Sequence, residues 1–181
     1  MVQKDADGKL ILSDKQIDKA IQKIIKKKKK HKIVTFAMLI NGKEITVVKY
    51  SELINLEKLS PSSRRKVTKR YILKAFERSI VKTTDGRTIV VKSMGGARKM
   101  TFKVKQKYAF FLEELIQNAI PVESRKDYDN SRICWLYYDS YILVNDIVYY
   151  WLINIKDVDG EFSFYDLNKR KEVDMSATSN E

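Results

Sequence analysis

A chain of 181 residues with a hydrophobic fraction of 44% has enough apolar material for a true core, which excludes wholesale disorder. Two prolines and six glycines leave little for flexible linkers, and the apolar stretch 141–155 is broken by Asn145, Asp146 and Asn154, which excludes it as a membrane span. The net charge of +13 is split: residues 1–107 carry 29 Lys/Arg against 9 Asp/Glu, and residues 108–181 carry 7 against 14.

Residues 1–12 read as a strand-like lead with a turn at Asp7-Gly8. Ser13 or Asp14 can cap a helix whose apolar positions, Ile17, Ala20, Ile21, Ile24 and Ile25, follow 3.6-residue spacing. That helix runs out in Lys26, Lys27, Lys28, Lys29 and Lys30, then His31 and Lys32, and cations there suit the helix dipole. Two β-rich runs, 33–40 and 43–50, flank Asn41-Gly42, a pair that tolerates the positive φ of a type I′ hairpin turn. Residues 51–59 read as a short helix. Ser60-Pro61 is an N-cap followed by proline at the first helical position, opening a helix over 61–80.

The second long helix is predicted to turn Val67, Tyr71, Ile72, Ala75, Phe76 and Ile80 inward. Its other face carries Lys66, Arg70, Lys74 and Arg78 at i+4 spacing, flanked by Arg64, Arg65 and Lys69. Asp85-Gly86 turns the chain into a strand over 87–92. Gly95-Gly96 interrupts it, and 98–105 reads as another strand by the alternation of Met100, Phe102 and Val104 with Lys99, Thr101, Lys103 and Lys105. An amphipathic helix over 108–120 carries Phe111, Leu112, Leu115, Ile116 and Ala119 on one side, Pro121 stops it, and 122–131 reads as a polar loop. Strands over 132–144, 147–157 and 161–167 follow, joined by turns at Asn145-Asp146 and Asp159-Gly160. The fold class is therefore α+β. A basic helix–hairpin–helix part, 1–87, packs on a helix plus antiparallel sheet, 88–173, and a loose polar tail, 174–181, ends the chain.

The charge split points to a polyanion, most often nucleic acid, because each phosphate neutralised releases counterions. Like charges at i+4 destabilise an isolated helix, so a ridge of four favours an anionic partner over bare solvent. The expected nucleic-acid-binding residues are Lys26 to Lys30, Arg64, Arg65, Lys66, Lys69, Arg70, Lys74, Arg78, Arg98, Lys99 and Lys103. The acidic half offers a competing use for the same cations, by docking on them. Gly95-Gly96-Ala97-Arg98-Lys99 lacks the ending of a Walker loop and reads as a hairpin or bulge. The cluster Tyr137, Tyr138, Tyr141, Tyr149, Tyr150 and Trp151 can stack bases, although strand alternation buries half of its rings.

His31, the only histidine, has lysines for neighbours, and Cys134 is the only cysteine. No Cys/His cluster supports a zinc site, and no metal or cofactor is expected. A lone thiol and an N-terminus without an apolar signal core suit the cytoplasm.

The helix Phe111-Leu112-Glu113-Glu114-Leu115-Ile116-Gln117-Asn118-Ala119 is followed by a polar loop and a strand of alternating aromatics. Then come Asn145-Asp146, the strand 149–157, and Asp159-Gly160 before Phe164-Tyr165-Asp166. Over 88–171 this order resembles the phage-type nuclease-like domains of polyvalent mobile-element proteins, which have the barnase/EndoU/colicin/RelE-like fold. The resemblance implies a metal-free ribonuclease-like site with Lys105, Lys107, Tyr108 and Arg132 as its candidates. That family carries a histidine near the start of the helix, where this chain has Lys105-Gln106-Lys107-Tyr108. The expected function is accordingly non-catalytic. The chain binds DNA or RNA, or blocks a nucleic-acid-handling machine, as a phage or mobile-element inhibitor of host defence. The alternatives are a ribonuclease-like effector and a protein inhibitor that meets an acidic protein surface.

Overall fold

The structure, a computed structural model, describes residues 2–173, with side chains to residue 170. The tail expected at 174–181 lies outside the described residues. The fold is mixed α+β, with a large, mostly antiparallel sheet.

The N-terminal lead forms a small ribbon, β1 (Gln3–Lys4) against β2 (Leu10–Ile11). Helix α1 (Asp14–Lys30) starts in a capping box: Ser13 Oγ accepts from Gln16 N at 3.3 Å, and Gln16 Oε1 accepts from Ser13 N at 2.8 Å. Strands β3 (Thr35–Ile40) and β4 (Lys43–Lys49) form the hairpin, with Asn41 at φ 51° and Gly42 at φ 75°, as a type I′ turn requires. Helix α2 (Pro61–Arg78) has Ser60 as its cap and proline at its first position. Strands β5 (Val81–Lys82) and β6 (Thr88–Val91), the short helix α3 (Gly96–Lys99), a 3₁₀ segment (Gln106–Phe111) and helix α4 (Leu112–Gln117) lead to β7 (Ile120–Lys126). The long strands β8 (Ile133–Val144), β9 (Ile147–Val158) and β10 (Glu161–Val173) complete the chain.

The sheet order is β3-β4-β8-β9-β10-β6-β5, with β7 also on β8. Strand β8 has a divided edge: β7 pairs antiparallel with its first half, and β4 pairs parallel at Val48↔Ile142 and Lys49↔Leu143. The other parallel pairing joins β6 to β10. The sheet thus draws strands from both sides of residue 88. One sheet face, through Leu136, Tyr138, Ile142, Ile153 and Phe164, packs with Ile17, Ile21 and Ile24 of α1, Val67 and Ile72 of α2, and Leu112 and Leu115 of α4.

Several expected elements differ. The alternation over 98–105 does not make a strand. Helix α3 and turns occupy it, Met100 is buried, and Phe102 and Val104 are 53% and 71% exposed. The cause is close packing at Gly96, where a Cβ would lie 2.3 Å from Phe164 O, so this segment seats backbone on backbone against β10. Gly95-Gly96 is thus a docking point for a helix and not a hairpin. Pro121 does not open a loop but lies inside edge strand β7, where its missing N–H costs no ladder bond. Of 51–59 only Leu56–Lys58 is helical, as one 3₁₀ turn. Ile80, expected inward, lies beyond the end of α2 and is 75% exposed.

Candidate functional site

Alternation along β8 sends Leu136, Tyr138, Ser140, Ile142 and Val144 toward the helices. It sends Trp135, Tyr137, Asp139, Tyr141 and Leu143 to the opposite face, where all five are half-buried. Register adds Tyr150 opposite Tyr141 and Lys156 opposite Trp135. The buried residues of α1, α2 and α4 lie on the Leu136 side. The far face is covered in part by the β3–β4 hairpin, whose Ile40, Ile45 and Val47 gather with Val148, Tyr141 and Leu143.

The rest of that face is a row of rings with cations on them. Trp135 meets Tyr165 edge-on at 4.8 Å between centroids, and Tyr141 stacks on Tyr150 at 5.2 Å and 12°. Lys156 lies 5.8 Å from the Trp135 ring, Arg125 5.7 Å from Tyr137, and Lys99 4.8 Å from Tyr165. Trp135 Nε1 donates to Asp127 Oδ2 at 2.7 Å, which fixes the indole and, with backbone N–H donors, holds the Asp127 carboxyl below its usual range. The Tyr150 hydroxyl donates to Asp139 at 2.5 Å, and burial together with this carboxylate pushes the phenol well above its ordinary value.

A second concavity, about 960 Å³, opens between residues 50–57, the 103–111 segment and the ends of the long strands. Tyr50, Tyr108, Phe111, Tyr149 and Trp151 line it. Tyr108 lies 4.9 Å from Trp151 and 6.4 Å from Tyr50, and Tyr50 lies 5.2 Å from Phe111. Lys107 Nζ stands 5.1 Å from the Tyr108 ring and 5.5 Å from that of Tyr50. Lys105 is engaged elsewhere: it bonds Asp166 at 2.5 Å with both side chains only 12% exposed, and Lys99 lies 3.8 Å from the same carboxylate. The Trp151 indole N–H is buried without an acceptor among the described residues.

The structure therefore brings Lys105, Lys107, Tyr108 and Lys103 to one cleft and leaves Arg132 out of it. Arg132 pairs with Asp159 in the β9–β10 turn, which lowers the Asp159 carboxyl. His31 caps α1 and is exposed.

The basic clusters are used unevenly. In the lysine run, Lys26, Lys29 and Lys30 are exposed, and Lys27 Nζ donates to Leu53 O at 2.9 Å. Lys28 is inside, between Glu113 at 3.2 Å and Glu114 at 2.8 Å. On α2, Arg64 is buried beside Glu57, Arg65 and Lys66 are exposed, and Lys69 is half-buried. Arg70 bonds Asp14 at 2.7 Å, and Lys74 lies 3.7 Å from Asp18, so the acids that bridge the ridge come from α1 and not from the acidic half. Arg78 reaches a smaller cavity, about 500 Å³, shared with Lys28, Lys29 and Lys32. Arg98 is exposed.

Sequence reasoning named the aromatic cluster but missed Trp135, Tyr165, Arg125 and Lys156. The signal was present as period-two alternation within 133–144, once that strand's buried parity is known.

No helix among the described residues is long and apolar enough to cross a membrane, and no group of three or more His, Cys, Asp or Glu among them could hold a metal ion. No family model, curated protein or solved structure matches this chain, so nothing in these comparisons identifies a nuclease-like domain.

Proposed function

We propose that this chain binds single-stranded nucleic acid on the open face of its sheet and holds it without cleaving it. The observation that carries the reading is the row Trp135, Tyr137, Tyr165 with Lys156, Arg125 and Lys99 set on its rings. A planar base gains about 1–3 kcal/mol by stacking on an aromatic side chain, and every base offers such a face. The cations over those rings give way to the bases and turn to the phosphates between them. Duplex DNA keeps its bases stacked on each other and gains only the charge contribution. The exposed members of the basic half, Lys26, Lys29, Lys30, Arg65 and Lys66, supply long-range attraction.

Binding without cleavage fits the chemistry of the candidate catalytic groups. A metal-free ribonuclease needs a base beside a cation-bound phosphate. Lys105 is tied to Asp166, and Arg132 to Asp159 away from the cleft, so only Lys107 and Tyr108 of the four stay together there, and neither residue type is ordinarily a base near neutral pH. A protein that covers a strand in this way would block a nucleic-acid-handling machine by occupation.

The test is fluorescence anisotropy with labelled single-stranded RNA, single-stranded DNA and duplex DNA, with and without EDTA, followed by a gel for cleavage. Salt-sensitive retention of the single strands, weaker retention of the duplex and intact polymers are expected. No retention of any polymer at low salt, or a clear preference for duplex, overturns the reading.

A further inference from the structure

The 960 Å³ cleft is a second candidate site, with its own chemistry, on the helix-bearing side of the sheet. We infer that it binds a nucleoside phosphate. None of the open-face residues takes part in it.

Its size falls within the range of small-ligand sites, in which apolar walls carry a few polar groups. Here the walls are rings. Tyr50 and Tyr108 meet at an angle, with centroids 6.4 Å apart; Tyr108, Phe111 and Trp151 are buried, and half-buried Tyr50 and Tyr149 are the rings that present surface. Such walls take a flat heterocycle better than a flexible chain, because ring contact fixes a plane at little entropic cost.

The charges select an anion. Lys103 and Lys107 both line the cleft, and neither has a carboxylate partner among the described residues. Lys105, between them in sequence, is already neutralised by Asp166 and builds the wall. Two lysines that line one cleft can supply point charges for a phosphate. Of the two glutamates in the lining, Glu57 is 3.6 Å from Arg64, which leaves Glu52 as an acceptor. Asn55, Asn145 and Asn168 add side-chain amides to the lining. A carboxylate and amides suit the amino and carbonyl edge of a base, whereas an aromatic acid or a plain phosphate would leave them unused.

The shared chemistry is a base, a ribose and a terminal phosphate, and it has two sources: a free mononucleotide or the phosphorylated end of a strand.

The chain has two tryptophans, one at each candidate site. In Trp135→Phe, Trp151 is the sole reporter and lies in the cleft wall. This variant is titrated with AMP, adenosine and inorganic phosphate, and with a tetranucleotide bearing either a 5′-phosphate or a 5′-hydroxyl. A saturable emission change with AMP is expected, with adenosine and phosphate each bound at least tenfold more weakly. Lys107→Ala and Lys103→Ala are expected to weaken AMP about tenfold each, near the lower end of the range for a hydrogen bond to a charged group. Both changes are at exposed positions and are expected to leave the fold intact.

A response to AMP alone assigns the site to a free nucleotide. An equal response to the 5′-phosphorylated tetramer, absent with its 5′-hydroxyl form, assigns it to a strand end. No saturable response to AMP, equal responses to AMP and adenosine, or indifference to both lysine changes overturns the inference. Strand retention by the unaltered chain is measured alongside, so this site can fail while the open-face reading stands, and the reverse.

Discussion

Lys28 Nζ stands 2.8 Å from Glu114 Oε1 in a pocket where both side chains are largely buried, and this pair joins the end of α1 to the first turn of α4. The Tyr71 hydroxyl and Phe110 O, at 2.9 and 2.8 Å, complete the ammonium's shell. The electrical halves of the chain meet here through one lysine. Burial pushes the Glu114 carboxyl above its ordinary value, with Lys28 opposing.

Removing that lysine leaves two carboxylates facing each other in a low-dielectric site. Lys28→Met is expected to destabilise the fold by about 3–5 kcal/mol, the usual cost of breaking a buried pair from one side. Lys29→Met, at an exposed neighbour, is expected to stay within about 0.5 kcal/mol. Urea denaturation of both checks the contrast, and equal midpoints would refute it.

Strand binding is expected to depend on the open face more than on the α2 ridge. Trp135→Ala and Tyr165→Ala should each weaken single-stranded RNA by about 1–3 kcal/mol if each ring stacks a base. Lys99→Ala, Arg125→Ala and Lys156→Ala should each lower the salt slope by about 0.7 for every phosphate that is no longer neutralised. Reversing Arg70 and Lys74 should matter less, because they stand on α2, which packs on the other face of the sheet. Anisotropy titrations across a salt series measure all three.

Gly96→Ala places a methyl 2.3 Å from Phe164 O, and backbone cannot move aside as a side chain can. The expected cost is about 1–3 kcal/mol, as for overpacked cores. Thermal unfolding of this variant against the parent tests it. An unchanged midpoint would mean that α3 and β10 do not approach closely in solution.

Asp85 accepts hydrogen bonds from Thr83 Oγ1 at 2.5 Å and from the Tyr138 hydroxyl at 3.1 Å, beside Arg87. Burial pushes its carboxyl up, but these donors and the Arg87 charge outweigh that, and the folded pKa lies below the ordinary value. Its contribution is therefore complete above the unfolded carboxylate pKa, about 4, and is lost as pH falls through the folded value. Asp85→Asn is expected to flatten the acid limb of stability against pH below about 4, and an acid limb identical to the parent's would contradict this.

Local chemistry made much of the fold legible. Ser13, Ser60-Pro61, Asn41-Gly42 and Asp159-Gly160 each mark an element boundary that the structure keeps, because caps and type I′ turns depend on the residues that form them. What was illegible depends on distant partners. Met100, Phe102 and Val104 alternate like a strand, yet Gly96 against Phe164 decides the segment, and no local pattern encodes Phe164. The lysine run hid its buried member for the same reason: Lys28 differs from Lys29 only in facing Glu113 and Glu114. The cleft gathers residues 50–57, 103–111 and 144–169, so spacing along the chain could not reveal it.

The divided edge of β8 sets an order of assembly. The turns at Asn145-Asp146 and Asp159-Gly160 let β8, β9 and β10 zip together locally. The pairings Val48↔Ile142 and Ser163↔Val90 must instead close long loops before any contact compensates the lost chain entropy. The two parallel seams are thus expected to be the slow, late steps, with half of one β8 edge open until β4 arrives. An unpaired edge flanked by tyrosines is where a nascent chain of this sequence would join a second copy of itself.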